Sequence, residues 1–250
     1  DLAVVPTTGL RRWINPLIAL DFDGDRPFDP LPAAQAFPLL EWAMNWCVTS
    51  NAHQYLIFHS AVLAKNDLAV VLPAPPGSGK STLCAALMLS GWRLLSDELA
   101  LLRPETGKLT PFVRPVSLKN ASIPLIADRF AEAVFTKSVH ETMKGTVAHL
   151  QPTSASLADN TKPATPQWLI FPKYAAGQSL SLEPLEKAAA AVELAKNAFN
   201  LPAQGVRGFH ALVDMVQASQ CFRMGYSSLD DAIRQFDALA SAGPQADVPA

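Results

Sequence analysis

The amino-acid sequence predicts an α/β domain, and three observations predict it. Short apolar runs of strand length alternate with Ala- and Leu-rich segments of helical spacing. One run, Leu68–Leu72, leads directly into a glycine-rich turn and then a helix. The chain has 250 residues, 49% of them apolar, which is enough for one large core with a small appendage.

Taken in order, residues 11–22 are expected to form a strand that ends in the turn signal Asp23-Gly24-Asp25. Pro27, Pro30 and Pro32 then keep the chain extended, and residues 33–50, with Trp42 and Trp46, have helical apolar spacing. Tyr55–Leu63 reads as a strand, Lys65-Asn66-Asp67 as a turn and Leu68–Leu72 as a fully buried strand. A helix over Thr82–Leu89 is stopped by Gly91. Trp92–Leu95 is a further strand running into Ser96-Asp97-Glu98, and Leu99–Leu102 continues it. Residues 125–135 look helical, and 136–165 are polar and loop-rich. Trp168–Phe171 is a strand stopped by Pro172. Helices follow over Leu185–Ala198, 208–219 and Ser228–Ala240, the last capped by Ser228 ahead of Asp230 and Asp231.

Composition excludes several classes. A formal net charge of −2 advertises neither nucleic acid nor an anionic membrane. No run of about 18 apolar residues reads as a membrane span. Cys47, Cys84 and Cys221 lie far apart without metal-site spacing, which fits a reducing, cytoplasmic setting. Asp21-Phe22-Asp23-Gly24-Asp25 superficially resembles a phosphatase nucleophile motif. A proline-rich stretch follows it instead of a helix, so a surface turn is the better reading; a calcium loop fails because Arg26 and Pro32 occupy the required Gly and Glu positions.

The glycine-rich turn is Ala74-Pro75-Pro76-Gly77-Ser78-Gly79-Lys80-Ser81-Thr82. It has the Walker A pattern in its required strand–loop–helix context. Successive loop N–H groups and the free N–H groups of the helix start bind phosphate oxygens, and Gly77 and Gly79 allow the backbone to approach closely. Lys80 would reach the β- and γ-phosphates of ATP and Ser81 would ligate Mg²⁺. Ala74 departs from the strict glycine and must avoid positive φ.

Phosphoryl transfer to an alcohol also needs a metal ligand and a proton acceptor. Asp97 and Glu98, at the end of the next strand, are the candidates. Neighbours on a regular strand diverge, so the pair converges only if the strand breaks there. His59 interrupts the apolar strand before the cradle.

From His59 to Glu98 the chain resembles, without a gap, the catalytic domain of HPr kinase/phosphorylase, and more closely the HPr kinase-related proteins. The matching features are the histidine, the P-loop, Gly91-Trp92-Arg93 and an acidic pair that is usually Asp-Asp in the family. The resemblance implies an α/β P-loop kinase fold with residues 1–52 as an N-terminal extension, 53–243 as the catalytic domain and 244–250 as a tail. It implies transfer of the γ-phosphoryl of ATP to a serine hydroxyl, with Glu98 as base, His59 positioning that carboxylate or the phosphate, and Asp97 helping to hold the metal. The resemblance leaves the roles of Asp97 and Glu98 interchangeable. Related proteins accompany peptide-modification systems, so the implied acceptor is a serine on a peptide or partner protein. The family assembles as hexamers, and a homo-oligomer is left open here.

The chain departs from the family after residue 103. The expected loop with a further metal-binding Glu is replaced by Arg114–Lys119, a segment typical of the related group. The later Arg is Gln178. Arg114, Lys119, Lys144 and Lys173 are candidates for stabilising phosphoryl charge, and the stretch with Lys144-Gly145-Thr146 and His149 is expected to act as a lid. A nucleotide-binding regulatory module, or an ATPase without a protein acceptor, is the competing reading.

Overall fold

The computed structural model describes residues 1–8 and 14–243; the tail assigned to 244–250 and the first residues of the strand expected over 11–22 lie outside the described residues. The N-terminal part builds a three-stranded antiparallel sheet from β1 (Leu2–Pro6), β2 (Leu17–Phe22) and β3 (Leu31–Pro32). Helix α1 (Ala36–Asn51) packs on it through a small core of Ile18, Leu20, Leu39 and Ala43. Asp23-Gly24-Asp25 is a turn, as its sequence suggests: Asp23 and Gly24 have φ 51° and 93°, and the Gly24 N–H donates to Asp21 Oδ1 at 3.0 Å.

The rest of the chain is mixed α/β around a central eight-stranded sheet. Strands β4 (Leu56–Lys65) and β5 (Leu68–Pro73) form a hairpin. Asn66 and Asp67 both have positive φ (53° and 61°), the backbone of a two-residue turn whose twist suits a hairpin. Helix α2 (Lys80–Leu89) follows β5. Its end shows why Gly91 stops it. With φ 92°, Gly91 lets its N–H reach the Met88 carbonyl (3.2 Å) while Trp92 N–H reaches Leu87 (3.0 Å), which satisfies the last-turn carbonyls.

Beyond α2 the chain forms β6 (Arg93–Ser96), β7 (Leu99–Arg103), β8 (Lys108–Thr110), β9 (Val116–Lys119), α3 (Ser122–Arg129), β10 (Val139–Thr142), β11 (Gly145–Leu150), α4 (Ser154–Ala158), β12 (Thr165–Tyr174), β13 (Ser181–Pro184), α5 (Lys187–Ala195), α6 (Leu201–Ala218), β14 (Gln220–Tyr226) and α7 (Leu229–Ala242). The main sheet runs β13-β14-β12-β5-β4-β7-β8, with β6 also paired to β4. β5 is central, parallel to β12 and antiparallel to β4. One core, with α2, α7, Trp92, Trp168 and Phe236, covers one face; α5 and α6 cover the other. Because β4 and β5 are buried on both faces, they read as continuous apolar runs and not as alternating ones.

Three expectations need correction. β12 does not stop at Pro172 but continues to Tyr174. Its pairing with β5 ends at Leu169, so beyond that point only β14 flanks it and the missing proline N–H costs no ladder bond. The helix expected over 125–135 is α3, Ser122–Arg129. Residues 136–165 are not loop-rich: they hold the β10–β11 hairpin, which pairs with β9 in a separate sheet, and α4. The Ser228 cap is as expected, its hydroxyl accepting from Asp231 N–H at 3.2 Å.

Candidate active site

β5 delivers residues 74–79 to the end of the sheet, and α2 opens at Lys80. Gly77 and Gly79 have φ 86° and 87°, values that side chains strongly disfavour. Gly79 is also constrained by space. A Cβ there would lie 2.6 Å from the Tyr226 hydroxyl and 2.9 Å from Tyr174 Cβ, whereas nothing lies within 4 Å at Gly77. The loop is tied to its neighbours by Tyr174 N–H donating to the Ser78 carbonyl (3.0 Å) and the Tyr226 hydroxyl donating to the Gly79 carbonyl (3.1 Å). Ala74 is buried and does not have positive φ, which accommodates its departure from glycine. Helix α2 carries no side-chain cap, so its first N–H groups and positive dipole end are available to an anion.

The acidic pair converges on this loop because the neighbouring strand is broken. β6 ends at Ser96 and β7 begins at Leu99, and both pair with β4. Leu95 is an extra residue in the β4–β6 register, a bulge that re-aims the residues after it. The Ser96 hydroxyl accepts from Leu99 N–H (3.0 Å) and, longer, from Glu98 N–H (3.3 Å), holding the break as a turn. Glu98 Oε2 then lies 3.4 Å from His59 Nδ1 and 3.9 Å from Lys80 Nζ. Lys80 donates to the Asp97 carbonyl at 2.8 Å.

The two carboxylates sit in different surroundings. Glu98 is held below its ordinary pKa: burial would raise it, but Lys80, His59, Lys144 and Lys119 together outweigh that. Asp97 is fully enclosed, and burial, aided by Glu98 and opposed by Lys80, pushes its pKa up to about 6. The Ser81 hydroxyl and Ser117 amide favour its charged form, yet neither Asp97 oxygen completes a normal hydrogen bond. An unpartnered buried carboxylate beside a helix-start serine suits a hydrated divalent cation. Ser81 and Asp97 therefore fit Mg²⁺, although no cluster of three or more His, Cys, Asp or Glu exists among the described residues. His59 is neutral near pH 7, its pKa driven down to about 4 by burial and then by Lys80.

A cavity of about 310 Å³ joins His59 and Glu98 to the glycine-rich loop, whereas Asp97 lies outside its lining, in a small pocket with Ser96, Arg114 and His149. Pro75 to Thr82 form one wall, and His59, Glu98, Ser117, Lys119, Ser122 and Lys144 form the other. Of the four candidate cations, Lys119 and Lys144 face this cavity. Lys173 lines a different one. Arg114 is engaged elsewhere: it contacts Glu41 Oε2 (2.9 Å), the Glu41 carbonyl (3.0 Å) and the Asn45 side chain, all on α1, and stacks on Phe112. His149 is buried with Phe37 edge-on at 4.9 Å, and burial, then Arg114, pushes its pKa down to about 4. Ser117, Ser122 and Tyr226 carry no local signal that would have marked them; only the packing of β9, α3 and β14 brings them here.

No protein-family model matches the chain, and no curated protein matches it. Among solved structures, the HPr(Ser) kinase/phosphatase from Coxiella burnetii aligns over 75% of this chain and 99% of that one, with 12% identity and a TM-score of 0.32. That likeness is distant. No helix among the described residues is long and apolar enough to cross a membrane.

Proposed function

We propose that this chain is a P-loop kinase of the HPr kinase type that transfers the γ-phosphoryl group of ATP to a serine hydroxyl of a peptide or partner protein. The observation that carries the reading is the position of Glu98, an ionised carboxylate between His59 and Lys80 on the cavity wall opposite the cradle. A serine hydroxyl placed there attacks the γ-phosphorus; a P–O bond to serine forms, the β–γ bridging P–O bond breaks, and the proton passes to Glu98. Neutral His59 turns an N–H towards Glu98 and orients it. Lys80, Lys119 and Lys144 offset charge on the phosphoryl oxygens. Bound Mg²⁺ would neutralise phosphate charge, held through Ser81 and Asp97.

A nucleotide is favoured over a simpler phosphate donor by a second cavity of about 870 Å³. It shares Pro75 to Ser78 with the first and is lined further by Tyr174 and Gln178, giving room for a nucleoside beside the phosphate cradle. Residues 1–52 are assigned to an N-terminal extension and 53–243 to the catalytic domain.

The test is incubation with γ-labelled ATP, Mg²⁺ and candidate serine-containing proteins and peptides, with the phosphosite mapped. Label on a serine, lost in Glu98→Gln, is the expected result. Label released only to water would leave an ATPase; ATP bound without turnover would leave a regulatory module.

A further inference from the structure

A cavity of about 320 Å³ adjoins the catalytic one and shares His59, Glu98 and Lys144 with it. The remaining walls differ. Of these two spaces, the cradle residues line the catalytic one and not the adjoining one, whereas Trp42, Asn45, Trp46, Thr49, Leu99 and Phe199 line the adjoining one and not the catalytic one. Glu98 is thus the carboxylate through which the two spaces meet.

The far wall comes from the N-terminal extension. Residues 42, 45, 46 and 49 are spaced i, i+3, i+4 and i+7, so one face of α1 is turned to this cavity. Two of its polar groups, the Thr49 hydroxyl and the Asn45 amide oxygen, are committed elsewhere. The Thr49 hydroxyl donates to the Asn45 and Trp46 carbonyls, each at 3.0 Å, and the Asn45 amide oxygen accepts from Arg114. Trp46 is held by edge contacts with Phe22 (5.4 Å) and Phe28 (5.5 Å), and Lys144 lies 5.0 Å from the centre of the Trp42 ring. Opposite, Phe199 sets its ring edge-on to His59 at 6.0 Å yet is 51% exposed. Apart from the three shared residues, no charged side chain lines the space. An exposed aromatic beside a base and a rigid aromatic wall makes a seat for an apolar side chain.

We propose, resting on the kinase reading above, that this cavity is the acceptor subsite and that its occupant is a peptide segment whose reacting serine is adjacent to an aromatic or large aliphatic residue. Neighbouring Cα atoms are about 3.8 Å apart, which lets one residue present its hydroxyl at Glu98 while the next fills the space between Trp42, Trp46 and Phe199. The N-terminal extension thereby selects the substrate, because it supplies the wall that the catalytic part lacks.

The experiment uses the full chain, γ-labelled ATP and Mg²⁺ with a library of single-serine peptides whose neighbours vary. Peptides with Phe, Trp or Leu next to serine should be labelled about tenfold faster than those with Gly, Asp or Lys. Phe199→Ala, at a half-exposed position that does not support the core, should raise the peptide KM about tenfold and erase the preference while leaving the ATP KM in place. Thr49→Arg, which adds a cation to the wall, should turn the preference towards acidic neighbours. Labelling that ignores the neighbouring residue, or an unchanged peptide KM in Phe199→Ala, overturns the subsite. Absence of label on every peptide while ATP binds normally overturns the kinase reading, and this inference falls with it.

Discussion

The Lys80 ammonium donates to the main-chain carbonyl of Asp97 at 2.8 Å, so the phosphate cradle and the acidic pair are joined by a direct bond between α2 and the break in its neighbouring strand. Lys80 also lies 3.9 Å from Glu98 and lowers the pKa of both carboxylates. A change at any one of these three residues is therefore felt by the other two.

If Glu98 is the proton acceptor, as proposed, Glu98→Gln removes it but keeps the shape of the side chain. A loss of about 10²–10⁴-fold in kcat is expected, with the ATP KM nearly unchanged. His59→Gln should cost less, because His59 acts through Glu98. Steady-state kinetics on both variants checks the order. Since His59 is neutral above about pH 4, the rate between pH 6.5 and 8 should show no inflection from it.

Asp97→Asn should separate stability from activity. The folded pKa of Asp97 is raised to about 6 from 3.8. The folded state then holds the proton more tightly than the unfolded one, so this contribution to stability is present at low pH and lost as pH rises through about 6. At pH 7 the enclosed charge is a cost that Asn relieves. The unliganded variant should melt higher at pH 7, by about 2–4 °C per kcal/mol relieved, and the gain should shrink as pH falls towards 5. Mg²⁺-dependent transfer should be lost in the same variant. Calorimetry without ligand, beside activity with Mg²⁺, reads both effects; a lower Tm at pH 7 would contradict the assignment.

Arg114→Ala should loosen helix α1 from the segment around Phe112 and Arg114. Its guanidinium and Glu41 are both largely buried, and the variant strands Glu41, whose burial already raises its pKa despite the Arg114 charge. Removing one partner of such a pair costs about 3–5 kcal/mol. Urea denaturation should show that loss, while Arg114→Ala combined with Glu41→Gln should recover part of it.

Gly79→Ala and Gly77→Ala test the cradle at two neighbouring positions. Both need positive φ, which costs a side chain about 1–2 kcal/mol. Only at Gly79 would the new Cβ also meet Tyr226 and Tyr174. Nucleotide affinity, measured by calorimetric titration with ATP, should therefore fall much further in Gly79→Ala than in Gly77→Ala.

Much of the fold was legible where burial is uniform. β4, β5 and α2 are apolar almost throughout, and Asn66-Asp67 and Gly91 mark their ends by local backbone chemistry. β9, β10 and β11 were not legible, because residues such as His140, Glu141, Thr146 and Lys119 leave no clean apolar alternation in strands that border a polar cleft. β14 was missed for a similar reason: Arg223 and Gly225 interrupt it, and its identity as a strand comes from pairing with β12 and β13. Arg114 reads as a free cation in the chain and is a structural anchor in the fold, because Glu41 lies 73 residues away.

By itself the sequence determined the strand–glycine-rich loop–helix unit around Ala74 to Thr82, proposed here as the phosphate cradle, since such a unit is a local object. Whether Asp97 and Glu98 face that cradle was decided only by tertiary structure. It depends on the pairing of β4 with both β6 and β7, on the extra residue Leu95, and on the Ser96 hydroxyl that holds the break. The strand pairings join residues about 30 or more positions apart in the chain, and register across such a distance is set by side chains packing on both faces of the sheet, which no local pattern encodes.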